Sequence, residues 1–254
     1  FVSCTGYHCP SVAHYLMERV GFSKDTYFTS ILGMGCEGGF PGLRRACDYS
    51  IASGRLSLVI ATELSSCTFF PEVGGIPDPE NHYEILRANA IFADASASAL
   101  VGWDDNPSHP YVVDSETYCE PAYLDELGYV WRNGRLRVLL SRRVPDLAPE
   151  VVSKALSRLL TRQGLGVRDS SWWIVHAAGS RVLDNIQKVI GLTDKDMELS
   201  RDVLRTYGNC SSTTIGLIGK RLMREDIRPG DKVMVLSLGP GMVGGATLLR
   251  FGDE

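Results

Sequence analysis

A chain of 254 residues that is 44% hydrophobic, 22% charged and 9% aromatic can build one large globular core or two smaller ones. Its net charge of −4, with lysines and arginines scattered, leaves no basic stripe for nucleic acid, and no apolar run nears the roughly 18 residues that span a bilayer. Seven cysteines, an odd number dispersed in apolar contexts, point to reduced thiols in a cytoplasmic protein rather than a disulfide framework.

The pattern along the chain is α/β. It opens on Phe1 without methionine, and "FVSCTG" reads as a strand, so a preceding N-terminal segment is expected. Within "CTGYHC", Cys4, His8 and Cys9 are candidate metal ligands, but no second pair stands at zinc spacing, and no metal is expected. "TYFTSIL" (26–32) predicts a short strand. A helix follows from Cys36 to Gly54, with Pro41 in its first turn and Leu43, Ala46, Cys47 and Ile51 as its apolar face. "LSLVIATE" (56–63) predicts a strand covered on both faces, which closes a βαβ unit. "PEVGGIPDPENH" (71–82) is a Pro/Gly-rich loop and "ASASALVGW" (95–103) a strand of small residues. "DDNPSHP" (104–110) is the best boundary, dividing 1–105 from 106–254.

Beyond the boundary, "YVVDSETY" and "LRVLLSRRV" predict strands in a hairpin-like relation through "RNGR". A helix is predicted over 149–162, with Val151, Val152, Ala155, Leu156, Leu159 and Leu160 on one face. Strand "SWWIVHA", a helix over 180–190 closed by Gly191, a helix over 211–225, and strands "KVMVLSLG" and "GGATLLRF" complete the chain.

"GMGCEGGF" (33–40) supports two chemistries. Gly33, Gly35 and Gly38 fit G-x-G-x-x-G between a strand and a helix, and Glu63 stands where a ribose-binding acid would. Against a dinucleotide, Glu37 would place a carboxylate beside the pyrophosphate. A thiol at Cys36 suits the same turn, because a helix N-terminus stabilises a thiolate and small neighbours leave room for an acyl group. His176, ending the strand of "WWIVHAAGS", and Asn209, in the turn "TYGNCSS", stand at two further junctions of the kind where open α/β sheets collect ligands.

"GCEGGFPGLRRA", "ATELSSCTFF", "LSRRVP", "WWIVHAAGSRVLD", "VLRTYGNCSS" and "SLGPGMVGGATLLR" follow the order and approximate spacing of one family. From "SCTG" to the last strand the chain resembles type III polyketide synthases, the chalcone-synthase-like branch of the thiolase fold, without the first third of a typical member. The resemblance implies a five-layered αβαβα fold of two related halves, the N-terminal one incomplete. It implies a homodimer, coenzyme A thioester substrates, and neither metal nor redox cofactor. Cys36, as thiolate paired with His176, would take up a starter acyl group; His176 and Asn209 would hydrogen-bond the enolate left when malonyl-CoA loses CO2. Iterated condensation and cyclisation would give a resorcinol, pyrone or related aromatic product.

By the same resemblance Phe92 is a gatekeeper aromatic, and Thr5, Ser65, Thr68 and Ser211 are small polar cavity residues. Gly128 stands at the cavity wall, Gly239, Pro240 and Gly241 back the cavity, and Cys9 matches a residue that reaches the partner subunit's site. The chain departs from plant members at Val138, which stands where a second gatekeeper aromatic is usual, at Glu37, and in the longer "FPEVGGIPDPENHYEIL". These features suggest a bacterial-type enzyme, and the smaller Val138 a wider cavity open to fatty acyl starters. Two neighbouring classes stay open: an initiating 3-ketoacyl-ACP synthase, which condenses once and typically shows "HQAN" in place of "HAAGS", and a non-catalytic thiolase-fold subunit, which usually lacks the cysteine.

Overall fold

The computed structural model of the chain describes residues 1–69, 82–103, 106, 108–132 and 134–252. The predicted loop over 71–82, apart from the backbone of its last residue, and part of the 104–110 boundary lie outside those residues, as does most of the "FPEVGGIPDPENHYEIL" extension.

The first part runs β1 (Val2–Ser3), α1 (Val12–Val20), β2 (Ile31–Leu32), a 3-10 turn over Gly35–Glu37, α2 (Gly39–Ser53), β3 (Ser57–Glu63), α3 (His82–Ile91) and β4 (Ala95–Val101). Its sheet has the order β2-β1-β3-β4, with β1 parallel to both neighbours and β4 antiparallel to β3. The second part runs β5 (Pro110–Cys119), β6 (Leu127–Arg132), β7 (Arg135–Leu140), α4 (Val144–Gln163), β8 (Trp172–Val175), α5 (Ser180–Ile190), α6 (Asp194–Tyr207), α7 (Thr214–Leu222), β9 (Lys232–Gly239) and β10 (Val243–Phe251). Its sheet has the order β5-β10-β9-β8, and β6 and β7 form a separate hairpin.

The two sheets sandwich α2 and α7. Arg44 of α2 donates to Ser115 of β5 at 2.5 Å, and on α7 Gly216 lies against Ala97 of β4 while Gly219 faces Ile174 of β8. On the far side of the second sheet, α4 and α5 bury Val151, Val152, Leu159, Val182, Leu183 and Ile186. Four of the five layers are therefore in place. On the open face of the first sheet the cross-strand pair Leu58 and Leu100 is 43% and 67% exposed.

Several predicted elements differ in the structure. β3 is not covered on both faces, and of "TYFTSIL" only Ile31–Leu32 is strand. The helix after Cys36 begins at Gly39 and buries Gly39, Phe40, Gly42, Ala46 and Ser50, leaving Ile51 exposed. Small residues face inward because α2 is squeezed between sheets: a Cβ at Gly42 would lie 2.6 Å from Val2, and one at Gly39 would lie 2.5 Å from the Ser212 carbonyl. "YVVDSETY" forms β5 but pairs with β10; the "RNGR" turn joins β7 to β6, a strand the sequence reading does not predict. It also misses α1, α3 and α6. The last had a legible start, since Thr193 and Asp196 form a reciprocal capping box with bonds of 3.2 and 2.7 Å.

Candidate active site

The tight glycines of residues 33–40 are explained by protein packing. Gly35 has φ +54°, and a Cβ there would meet Pro240 at 2.4 Å. One at Gly38 would meet Val2 at 3.0 Å. The room a pyrophosphate would need is filled by the β9–β10 loop, β1 and the start of α7. Glu63, the candidate ribose acid, is fully buried instead. It accepts from the Cys4 backbone N–H at 3.0 Å, the Cys4 thiol at 3.1 Å, the Thr5 hydroxyl at 3.1 Å and the Ser212 hydroxyl. The turn presents Cys36, as the thiol reading expects.

Cys36 is buried, and its Sγ lies 3.9 Å from Asn209 Oδ1. The same amide oxygen accepts the Ser211 backbone N–H at 2.8 Å, while Asn209 Nδ2 donates to the Ala178 carbonyl at 3.3 Å. Among the described residues one of the two amide hydrogens thus remains to meet a ligand. The Asn209 main chain is clamped against Phe92 by a parallel bridge, with Asn209 N to Ile91 O at 2.8 Å and Ala93 N to Asn209 O at 3.0 Å. Ser211 sits at φ +52°, a left-handed conformation that costs a non-glycine residue roughly 1–2 kcal/mol. Asn209 holds that strained turn, which aims the Ser211 hydroxyl at Cys36 and, at 3.2 Å, at Cys4.

His176 directly follows β8 of the second sheet, with its backbone N–H bonded to Leu236 O at 2.9 Å. The imidazole is buried, and among the described residues neither ring nitrogen has a hydrogen-bond partner. Burial pushes its pKa down to about 4, and burial pushes the Cys36 thiol up to about 11, opposed by bonds from Ser211 and Asn209 and reinforced by the Glu63 charge. Burial thus opposes the charge on each group taken singly, and the thiolate expected from the sequence forms against that opposition. Cys36 also lies on the 3-10 turn, three residues before α2 begins.

Around this centre, Ser65, Thr68 and Phe92 line one cavity of about 190 Å³. Thr5 is engaged by Glu63 and by Leu64 N at 2.8 Å. Gly239 and Pro240 press on the Cys36 turn, Gly239 against Glu37 and Pro240 against Gly35, and Gly241 follows at φ +106°. Gly128 has open space where a Cβ would stand. Its strand neighbour Tyr129, which faces the opposite side of β6, is the residue that reaches the site, with its hydroxyl 3.5 Å from Cys4 Sγ. Val138 is half-buried on β7, directly across from Tyr129. Cys9 is exposed. Among the described residues no group of three or more His, Cys, Asp or Glu is placed to hold a metal, so Cys4, His8 and Cys9 do not converge as ligands.

Sequence reading gave Cys4 and Glu63 other roles and named neither Ser212 nor Tyr129. Ser212 ends the stretch "TYGNCSS" that carries Asn209, and Cys4 stands beside Thr5, so proximity to named positions was the available signal. Nothing in the sequence marks which face of β6 turns inward. Glu37, placed one residue from the nucleophile, is buried against Gly239 and Gly245, and burial raises its carboxyl to about 8.

Comparisons with known proteins fit this geometry. Residues 1–105 match the N-terminal domain of chalcone and stilbene synthases, and residues 127–251 match their C-terminal domain. The chain is 28% identical over 245 residues to a 3,5-dihydroxyphenylacetyl-CoA synthase of Amycolatopsis orientalis, covering 94% of this chain and 64% of that protein. It is 28% identical over 244 residues to the 1,3,6,8-tetrahydroxynaphthalene synthase of Streptomyces coelicolor, covering 95% of this chain and 63% of that protein. The chain thus spans less than two thirds of the length of these two relatives. The solved structure of the Streptomyces coelicolor A3(2) tetrahydroxynaphthalene synthase, a bacterial type III polyketide synthase, superposes with a TM-score of 0.88 at 27% identity, over 100% of this chain and 71% of that one. PKS-I of the brown alga Ectocarpus siliculosus superposes with a TM-score of 0.87 at 27% identity, over 98% of this chain and 67% of that one.

Proposed function

The chain belongs to the chalcone and stilbene synthase family, and from that premise we propose that its full-length protein is a type III polyketide synthase. It extends an acyl-CoA starter with malonyl-CoA by iterated decarboxylative condensation, as a homodimer in the cytoplasm and without a metal or redox cofactor. The observation that carries the reading is the shared amide. Asn209 touches Cys36 through Oδ1 and binds the carbonyl of Ala178, two residues past His176, through Nδ2.

Burial opposes each charge at the site singly, but a thiolate and an imidazolium formed together neutralise one another. Cys36 passes its proton to His176 as the acyl-CoA enters, and the thiolate attacks the acyl carbonyl. The CoA sulfur leaves and takes the proton back from the imidazolium. Malonyl-CoA then binds with its thioester oxygen toward the His176 ring N–H and the remaining Asn209 Nδ2–H. Loss of CO2 leaves the C–C bonding pair as an enolate, whose oxygen these donors stabilise. The enolate carbon attacks the Cys36 thioester, the Cys36 sulfur leaves, and the chain is longer by two carbons on CoA. No carboxylate base is required, since decarboxylation generates the carbanion.

The test is a covalent one. Full-length protein incubated with a starter acyl-CoA is expected to gain the acyl mass on the peptide containing Cys36. Acylation at no cysteine, or at another cysteine in a Cys36→Ala protein at the wild-type rate, contradicts the reading.

A further inference from the structure

The 3-10 turn that carries Cys36 is gripped at both ends by the ribbon of β9 and β10. At one end the Pro240 ring closes over Gly35, where it leaves no room for a Cβ. At the other end Glu37 is only 2% exposed, and its side chain enters a slot that exists because Gly239 and Gly245 have none. A Cβ at Gly239 would lie 3.0 Å from Glu37 N, and one at Gly245 would lie 3.1 Å from Glu37 Oε1. The Ser237 hydroxyl and the edge of the Phe40 ring close on the same point above Gly245. Cys36, between the two grips, is left facing Asn209 and Ser211. Among the described residues neither Glu37 Oε2 nor Ser237 Oγ has a hydrogen-bond partner. A carboxylate buried without donors is costly, whereas a neutral carboxylic acid is tolerated. The slot's walls, Gly239, Ser237 and Gly245 from β9 and β10 and Phe40 from α2, bring no charge to it, and the titratable group next to Glu37 along its own turn is Cys36. Burial, the one cause of its shift, raises the Glu37 carboxyl to about 8, so that it keeps its proton at neutral pH.

We propose that Glu37 is a positioning residue for the condensing reaction, an uncharged plug that fills the slot between Gly239 and Gly245 and, with Pro240 on Gly35, holds the Cys36 thiol against Asn209 and Ser211. The inference rests on the reading that Cys36 is the nucleophile. The plug acts by shape, so a side chain of the same size keeps the turn in place and an empty slot lets it shift. A shift of about 1 Å at a reacting atom can cost about 100-fold in rate. The plug must also stay uncharged. Loss of its proton to solvent sets a carboxylate one residue from Cys36, which disfavours the thiolate and drives the side chain toward water. Acyl loading therefore falls as pH rises through the value at which Glu37 ionises.

Two measurements on the full-length protein test the plug. The first needs no polyketide chemistry. Alkylation of Cys36 by iodoacetamide is followed on its own peptide, from about pH 6 to about pH 9.5, in wild type and Glu37→Gln. The two proteins are expected to agree within about twofold at the acid end, and Glu37→Gln, which cannot ionise, to react at least about threefold faster at the alkaline end. The second measurement is the rate of acyl transfer to Cys36 from a saturating starter acyl-CoA, alongside CO2 release from malonyl-CoA. Glu37→Ala is expected to slow acyl transfer by about 10- to 100-fold, with the half-saturating starter concentration unchanged. Decarboxylation is expected to persist in it, because His176 and Asn209 do not stand on the turn. Glu37→Gln, which refills the slot, is expected to restore acyl transfer. Superposable alkylation profiles in wild type and Glu37→Gln overturn the inference, as does a folded Glu37→Ala protein that loads at the wild-type rate. Equal loss of loading and decarboxylation in Glu37→Ala, the mark of a general loss of structure, overturns it too. Should Glu37→Ala fail to fold, the two alkylation profiles decide alone. If those profiles separate as expected but no protein takes up any starter, the plug stands and the polyketide synthase reading fails.

Discussion

In the first part the buried polar side chains, Ser3, Glu37, Ser50, Glu63, Ser65 and Thr68, come close in number to the buried apolar ones. In the second part the buried side chains are mostly apolar, and both apolar clusters among the described residues fall within 127–251. The polar part carries Cys36; the apolar part carries His176 and Asn209. The difference separates two physical tasks. Glu63 and its donors set the electrostatics around the thiol, whereas α4, α5 and β8–β10 form the rigid base from which His176 and Asn209 project.

The largest effects should come from breaking that division at the site. Cys36→Ala is expected to abolish acyl loading and lower condensation by at least about 1000-fold while leaving some malonyl-CoA decarboxylation, since the enolate donors remain. Asn209→Ala is expected to cost roughly 100- to 1000-fold in decarboxylation, measured as CO2 release. Equal loss of both activities in Cys36→Ala would contradict the division.

Stability should follow the same line. Leu159→Ala, in the core under α4, is expected to cost about 2–5 kcal/mol in urea unfolding, whereas Leu100→Ala, on the open face of the first sheet, should stay within about 0.5 kcal/mol. Comparable losses at both sites would erase the contrast.

Glu37 offers a finer probe, because it belongs to the polar part yet packs against β9 and β10. It lies against Gly239 and Gly245; burial is the cause of its shift. A carboxyl whose folded pKa is raised to about 8 contributes stability that is complete below its unfolded value and is lost as pH climbs to about 8. The slope should be about 1.4 kcal/mol per pH unit between those values. Glu37→Gln is expected to flatten that part of the thermal-unfolding profile between pH 5 and 8. An unchanged slope would show that folding does not raise the Glu37 carboxyl.

The sequence disclosed the parts of this molecule that obey local rules. The α4 stripe from Val151 to Leu160 keeps helical spacing, and Gly191 closes α5 in a left-handed cap, so both were legible. The placing of Cys36, His176 and Asn209 between elements was legible, and the structure brings Cys36 and Asn209 into contact. What stayed hidden depends on long-range packing. Apart from Phe40 and Ala46, the inward face of α2 is glycine and serine, which carry no hydrophobic signal. β5 joins β10 more than a hundred residues away, a pairing no local turn announces. Tyr129 became visible only once the register of its hairpin placed it opposite Val138.

The account's central claim is that the two parts meet in one iterative condensing site, and the stoichiometry of carbon dioxide tests it most directly. Full-length protein supplied with malonyl-CoA and a short acyl-CoA starter is expected to release several CO2 for each product molecule, with each product mass matching the number released. A single CO2 per product, or CO2 release without growth of any starter, would contradict it.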